Sequence, residues 1–230
     1  MSVEAGRTPG QTHRTSYDAD AHARLTADSD LIVARYPQAR SALLPMLHLV
    51  QAEEGYVTPE GIGMCAELLG LTKAEVGAVA TFYTMYKRRP VGDYHVGVCT
   101  NTLCAVMGGD AIYSALKEHT GVTSQNGVTD DGKVSLEHIE CNAACDFAPV
   151  VMVNWEFFDN QTPESARQLV DDLRAGQPVK PTRGADSVCT WREAERVLAG
   201  FYDGRADEGV AAGPATLEGL KLARERGETA

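Results

Sequence analysis

Two pairs of cysteines place the strongest constraint on what this chain can fold into. Four residues separate Cys99 from Cys104, and three separate Cys141 from Cys145. Each pair follows a predicted strand, so each lies in a loop whose ends a sheet would hold in place. Four thiolates placed in this way match the soft ligand set of an iron–sulfur cluster or of zinc.

The spacing by itself leaves several kinds of site open. Structural zinc sites favour C-x-x-C pairs, whereas the wider spacings of this chain suit a core of two irons and two sulfides. A zinc site, a redox-active dithiol and inert buried cysteines remain as alternatives. A thioredoxin-type dithiol needs C-x-x-C at the start of a helix, which neither pair provides. Cys65 falls on the apolar side of a predicted helix and Cys189 has no partner nearby in sequence, so we expect both to be bystanders.

Composition argues against two broad classes of function. The chain carries 32 acidic and 21 basic side chains, a net charge of −11, which opposes a nucleic-acid partner because such partners need clustered Lys and Arg. No apolar run approaches the roughly 18 residues of a membrane span. The first 20 residues contain no apolar segment typical of a signal peptide, so we expect the protein to stay in the cytosol. Disulfides are rare there, and the 6 cysteines therefore indicate metal or redox chemistry.

Helical periodicity dominates residues 28–89. Residues 1–27 are rich in Thr, Ser, Gly and Asp without periodicity, which predicts a flexible arm. Apolar residues at helical spacing follow, and two N-terminal signals, a Thr-Pro N-cap at Thr58 and a capping box at Thr72, mark further helices. The connections are short, so we expect a small bundle of antiparallel helices.

The hydrophobic period changes after Pro90, where strands alternate with helices. Strands are predicted over residues 94–98, 134–140, 150–154 and 155–158, and helices over residues 109–117 and 163–173. This β-α-β-β-β-α order is typical of a thioredoxin-like domain, here residues 90–178. Residues 179–230 form an extension with one predicted helix. The tail after this helix, from residue 202, buries too little to fold alone, so we expect the tail to be mobile or to lie on a partner. We expect the extension as a whole to be bound to a partner.

Two cysteine-containing segments carry a resemblance to a known family. CTNTLCAVMGGDAI (99–112) and ECNAACDFAPVVMVN (140–154) resemble the E subunits of bacterial NADH–quinone oxidoreductase, the complex I members of the thioredoxin-like [2Fe–2S] ferredoxin family. The resemblance extends through the helical part and covers residues 28–178. It rests on both cysteine pairs, the Gly108-Gly109 turn and the Ala148-Pro149 dipeptide, which appear in the same order.

The resemblance implies an α+β fold, an N-terminal helical bundle followed by a thioredoxin-like [2Fe–2S] ferredoxin domain. It implies one [2Fe–2S] cluster on Cys99, Cys104, Cys141 and Cys145. The chain would be a subunit of an enzyme, without an active site of its own, and it contains neither G-x-G-x-x-G after a strand nor G-x-x-x-x-G-K-[ST]. FMN and NADH would bind the partner F subunit, and the cluster would exchange single electrons with that flavin.

The same resemblance implies a setting for the chain. Its other partners would be the remaining peripheral-arm subunits of complex I, on the cytoplasmic side of the cell membrane and without insertion into it. The equivalent subunit of a soluble NAD-dependent hydrogenase or formate dehydrogenase is the alternative within the family. A structural zinc-binding module is the alternative outside it.

Three residues around the second cysteine pair carry further expectations. Many family members have glycine where this chain has Ala143, and if that residue is left-handed, alanine costs about 1 kcal/mol there. Pro149 resembles the proline that precedes a central strand in thioredoxin-like folds, which implies a cis peptide bond. Asp146, next to Cys145, would disfavour the reduced form of a cluster that it faces.

Overall fold

The computed structural model describes residues 17–124 and 127–228. The helices are α1 (Ala19–Val33), α2 (Leu43–Glu54), α3 (Pro59–Leu69), α4 (Lys73–Phe82), α5 (Thr102–Val106), α6 (Gly109–Thr120), α7 (Pro163–Arg174), α8 (Trp191–Leu198) and α9 (Pro214–Glu225). The strands are β1 (Tyr94–Cys99), β2 (Gly127–Val128), β3 (Val134–Ile139), β4 (Val151–Val153) and β5 (Glu156–Phe158). Short 3-10 turns cover Ala39–Ala42 and Cys145–Phe147. The predicted α+β class is confirmed. None of the helices in the described part of the chain has the length and apolarity that a membrane crossing requires.

The first four helices pack around one apolar core, and local sequence sets their ends. The side chain of Thr58 accepts a hydrogen bond from the backbone N–H of Gly61 at 3.0 Å. Thr72 and Glu75 form the predicted capping box, which satisfies backbone donors that a helix start leaves open. The core contains fully buried aliphatic side chains, among them Ile32, Met46, Leu47, Val50 and Val76.

The first helix begins earlier than the sequence predicted. Its N-cap is Asp18, whose side chain accepts a hydrogen bond from the backbone of α1 at 2.8 Å. Leu25 is buried in the bundle core, so the prediction of a flexible arm is wrong for residues 19–27. Tertiary packing supplies most of the stability of such a helix. Its apolar pattern is weak, so the sequence alone did not predict it. The rest of the predicted arm, residues 1–16, lies outside the described residues.

The five strands form one mixed sheet in the order β2-β3-β1-β4-β5. β1 runs parallel to β3 and antiparallel to β4, and the parallel pair requires a crossover, which α5 and α6 provide. The two-residue strand β2 lies between residues 117 and 134, where the sequence predicted no strand. One face of the sheet packs against α6 and α7 through fully buried side chains, including Val96, Val98, Ile112, Leu116 and Val170.

The opposite face of the sheet is polar where the bundle meets it. His95, Ser135 and Glu137 occupy alternate positions on β1 and β3, so they point away from α6 and α7. The ammonium group of Lys87 contacts the carboxylate of Glu137, and His95 Nε2 lies 2.7 Å from Glu137 Oε2. Burial would raise the pKa of Glu137, but the hydrogen bond with His95 and the charge of Lys87 outweigh it and lower that pKa. The bundle and the sheet therefore meet through a buried ionic contact.

A single carboxylate fixes the turn between β2 and β3. Asp131 accepts hydrogen bonds from Thr129 Oγ1 at 2.5 Å and from Arg174 Nε at 2.8 Å. These bonds lower the pKa of Asp131 from 3.8 to about 2. Because Arg174 is the last residue of α7, the carboxylate fastens this turn to a helix that covers the sheet.

Helix α8 belongs to the bundle of the same chain. Trp191 is completely buried, and its Nε1 donates a hydrogen bond at 2.8 Å to the carbonyl of Gly55, the C-cap residue of α2. The carboxylate of Glu195, also completely buried, lies 2.6 Å from His48 Nδ1 and accepts hydrogen bonds from Gln51 Nε2 at 2.6 Å and Trp155 Nε1 at 3.2 Å. The expectation that the whole extension is bound to a partner is therefore wrong for α8. The apolar face of α8 packs against α2 of the same chain rather than against another protein.

Candidate metal centre

The two cysteine pairs lie at one edge of the sheet. Cys99 is the last residue of β1, and Cys141 follows β3 by two residues. Because these neighbouring strands are parallel, with Cys99 in register with Ile139, the loops after them leave the sheet side by side. Cys104 lies within α5, and Cys145 begins a 3-10 turn. All four cysteines line one depression in the surface.

The first pair is buried and tightly packed. Cys99 and Cys104 are 1% and 4% exposed, and the N–H of Cys99 donates a hydrogen bond to the carbonyl of Val150 at 3.1 Å. Helix α6 begins against both cysteines, at Gly109. A Cβ atom at this position would lie 2.4 Å from the carbonyl oxygen of Cys99 and 2.9 Å from that of Cys104. Only glycine allows the helix to approach this closely.

The second pair is exposed. The Sγ atoms of Cys141 and Cys145 are 3.7 Å apart, and the backbone N–H of Ala143 donates to Cys141 Sγ at 3.4 Å. Ala143 has a φ of 55°, so alanine does occupy a left-handed turn at the position where many family members have glycine. The peptide bond between Ala148 and Pro149 is cis, as predicted.

A hydrogen bond joins the two cysteine loops. The side-chain amide of Asn101, in the loop after Cys99, donates a hydrogen bond at 2.9 Å to the carboxylate of Glu140, the residue immediately before Cys141. The sequence analysis did not identify this pair. Its only signal is a polar residue beside a ligand candidate in each loop, and nothing local indicates that the two side chains meet.

Two of the four thiols, those of Cys104 and Cys145, have a raised pKa. Burial is the main cause that raises the pKa of Cys104, to about 11. The pKa of Cys145 is raised by its hydrogen bond with Cys141 and by the charges of Cys141, Cys99 and Asp146. Four thiolates at one site therefore repel each other, and metal cations would supply the charge that holds them deprotonated.

The donor set fits a two-iron cluster. The cysteines form two pairs, one on each loop, facing a common depression. A [2Fe–2S] cluster uses four cysteines, two on each iron, so this arrangement matches it.

Comparison with known proteins gives the family. The family model for thioredoxin-like [2Fe-2S] ferredoxins matches residues 29–174. The chain belongs to this family. It is 64% identical over 211 residues to the NADH-quinone oxidoreductase E subunit of Mycobacterium tuberculosis, a match that covers 91% of this chain and 83% of that protein. The NADH-quinone oxidoreductase E subunit of Rickettsia bellii is 41% identical over 146 residues, which cover 62% of this chain and 87% of that protein.

A solved structure shares the fold of this thioredoxin-like ferredoxin. The crystal structure of a NAD+-reducing [NiFe]-hydrogenase in the air-oxidized state matches with a TM-score of 0.52 at 18% identity. The match covers 59% of this chain and only 23% of the hydrogenase chain. At this identity the match shows the fold and nothing about activity. The family resemblance that the sequence indicated is confirmed.

The other two cysteines lie away from this depression. Cys65 is completely buried in the bundle core, and burial raises its pKa to about 12. Cys189 precedes α8, and burial is the main cause that raises the pKa of its thiol. Neither residue lines the depression that the four cysteines share. Their assignment as bystanders stays a prediction.

Proposed function

We propose that this chain is the electron-transfer E subunit of a bacterial respiratory NADH–quinone oxidoreductase. It would hold one [2Fe–2S] cluster on Cys99, Cys104, Cys141 and Cys145. One observation carries the proposal, namely that two cysteine pairs meet at the carboxyl ends of two adjacent parallel strands. Sequence similarity supports it, since the chain is 64% identical over 211 residues to an E subunit of such an enzyme.

The chain's own residues have three tasks in this proposal. The cluster, when bound, supplies reversible one-electron chemistry. The hydrogen bond from the N–H of Cys99 to the carbonyl of Val150, just before β4, holds the buried pair in place. The Asn101–Glu140 hydrogen bond holds the two loops together. The N–H of Ala143 places a positive dipole against Cys141 Sγ, and such donors stabilise charge on ligand sulfur. The exposed second pair gives a redox partner short access to the site.

The proposed partner is the F subunit, which binds NADH and FMN and whose flavin would exchange single electrons with the cluster. Leu103, Val106 and Met107, which we call the α5 ridge, are 43%, 79% and 56% exposed. They flank Cys104, and contiguous exposed apolar side chains mark interaction sites on soluble proteins. A partner that covers the α5 ridge would lie beside the cluster, as electron transfer requires. Other peripheral-arm subunits on the cytoplasmic side of the membrane would complete the enzyme.

The ligand assignment is tested on chain purified without oxygen. We expect about two irons and two acid-labile sulfides per chain, and an electron paramagnetic resonance signal on reduction. Replacing Cys104 or Cys145 by alanine should abolish the visible absorption of the cluster. The matched replacements Cys65→Ala and Cys189→Ala should leave it unchanged. A colourless, zinc-loaded chain, or bleaching in Cys189→Ala, would contradict the assignment.

The partner assignment has a separate test. Val106→Asp places a charge in the α5 ridge, where its exposure leaves the fold and the cluster spectrum intact. We expect this variant to co-purify poorly with the co-expressed flavin-binding subunit. Leu31→Asp is the matched control, because Leu31 is 58% exposed on α1, on another part of the surface. If both variants retain the flavin-binding subunit as the wild type does, the α5 ridge is not the docking surface.

A further inference from the structure

The side-chain packing of the turn that carries Cys145 comes from one residue. Cys145, Asp146 and Phe147 form a short 3-10 turn, in which the first two are exposed and only Phe147 is half-buried. The first cysteine pair is held differently, since Cys99 ends a strand and Cys104 lies within α5. Exposed segments with few packed side chains open most easily. The position of Cys145 therefore depends on what holds Phe147.

A guanidinium group covers the ring of Phe147. The guanidinium carbon of Arg183 lies 5.0 Å from the centre of the Phe147 ring and 4.0 Å from the centre of the Phe157 ring on β5. An ion pair fixes this guanidinium, because Arg183 Nε lies 3.0 Å from Asp159 Oδ2 and the two side chains are only 19% and 8% exposed. Guanidinium groups attract the faces of aromatic rings, most strongly where water is excluded. Arg183 therefore holds Phe147 beside β5.

The tail of the C-terminal extension packs against the outer end of the same ring. The N–H of Gly184 donates a hydrogen bond to the carbonyl of Val210 at 3.3 Å, which brings the tail alongside this segment. A Cβ atom at Gly213 would lie 2.4 Å from Cζ of Phe147, so the backbone just before α9 touches the ring. These contacts come from residues beyond 174, where the match to the family model ends.

We propose that Arg183 and Gly213 are positioning residues for Cys145, which they hold in place by confining the ring of Phe147. This inference rests on the proposed function, in which Cys145 is one of the four cluster ligands. Groups that orient a metal ligand determine how firmly the metal is retained. The extension would thus slow the loss of iron from the exposed cysteine pair.

Loss of the cluster to an iron chelator tests this inference, followed by the decay of visible absorption in the cluster-loaded full chain. Arg183→Ala removes the guanidinium from the ring, and Gly213→Ala displaces the ring from its place. We expect Arg183→Ala to lose the cluster about tenfold faster than the wild type, because residues that orient metal ligands alter metal affinity by about 10–100-fold. Gly213→Ala should act in the same direction. The visible circular dichroism of the cluster should change in both variants, since it depends on the arrangement of the ligand sulfurs.

Two control variants match these changes away from the cysteines. The guanidinium carbon of Arg196 lies 4.2 Å from the centre of the Phe201 ring, and Arg196 pairs with Asp28 at 2.8 Å. Arg196→Ala therefore removes the same kinds of contact from the helical bundle. Gly219→Ala is the control for Gly213→Ala, because a Cβ atom at Gly219 meets nothing within 4 Å among the residues that the structure describes. Both controls should release iron at the wild-type rate and keep the wild-type spectrum.

The inference is overturned if Arg183→Ala and Gly213→Ala release iron at the wild-type rate with unchanged visible circular dichroism. It is also overturned if Arg196→Ala releases iron as fast as Arg183→Ala, because a general loss of stability would then explain the effect. Far-ultraviolet circular dichroism shows whether each variant is folded, and Gly213→Ala, which keeps the ion pair, decides the matter if Arg183→Ala does not fold. A wild-type chain that binds neither iron nor labile sulfide is a different result, which overturns the proposed function and this inference with it.

Discussion

The left-handed turn at Ala143 leads to a stability prediction whose sign is unusual. A residue with a side chain in this conformation costs about 1–2 kcal/mol relative to glycine. Glycine also makes the unfolded chain more flexible, and this reduces the gain in folded-state stability by about 0.4–1 kcal/mol. Ala143 is exposed, so removing its methyl group loses no packing. We therefore expect Ala143→Gly to stabilise the folded chain by about 0.5–1 kcal/mol.

Scanning calorimetry of the cluster-loaded chain measures this effect. For a protein of this size, 1 kcal/mol corresponds to about 2–4 °C in Tm, so the expected rise is about 1–4 °C. The visible spectrum should not change, because the hydrogen bond to Cys141 Sγ comes from the backbone of residue 143 and is retained.

The next residue provides the control. Ala144 is 6% exposed and has a φ of −110°, so glycine there loses a buried methyl group and gains only flexibility. We expect Ala144→Gly to destabilise the chain by about 1–2 kcal/mol. If Ala143→Gly lowers Tm as Ala144→Gly does, the left-handed turn carries no strain and the reasoning is refuted.

Three further predictions concern packing and charge. Gly109→Ala should reduce the iron bound per chain, because its Cβ would lie 2.4 Å from the Cys99 carbonyl oxygen, whereas Gly77→Ala, with nothing within 4 Å, should bind iron normally. Glu195→Ala should lower the free energy of unfolding by about 3 kcal/mol in denaturant titrations, since it removes the carboxylate that His48, Gln51 and Trp155 share, and a loss below about 1 kcal/mol would argue against that network. The lowered pKa of Asp131 contributes stability above its unfolded value of 3.8 that is lost as pH falls toward about 2. Asp131→Asn should therefore lower Tm at neutral pH and flatten the fall of Tm in that acid window, and an unchanged Tm at neutral pH would contradict the sign.

Local signals explain why much of the fold could be predicted. The capping box at Thr72 and the N-cap at Thr58 act within one helical turn, so their prediction needs no tertiary information. In the strands that end at Cys99 and before Cys141, apolar residues alternate with other residues, as at Val96 and Val98 and at Val134 and Leu136. Strand β2 and helix α5 were missed because two and five residues are too short to show a period.

The network around Glu195 shows what local signals cannot reveal. The carboxylate lies on α8 and contacts His48 on α2, 147 positions earlier in the chain. In the sequence, Glu195 is one of many acids on an amphipathic helix, and solvent is the usual place for such a side chain. Only the docking of α8 onto α2 makes it a buried acceptor.

The sequence by itself determined the chemistry that is available, because ligand type and helix caps depend on residue identity and short spacing. Four cysteines in two strand-end pairs, and a Gly-Gly start of α6, could be identified without coordinates. Tertiary structure alone decided that α8 covers α2 and that Asn101 reaches Glu140. The physical reason is that the hydrophobic effect has no preferred direction. An amphipathic helix therefore predicts that its apolar face will be buried, but not which element will bury it.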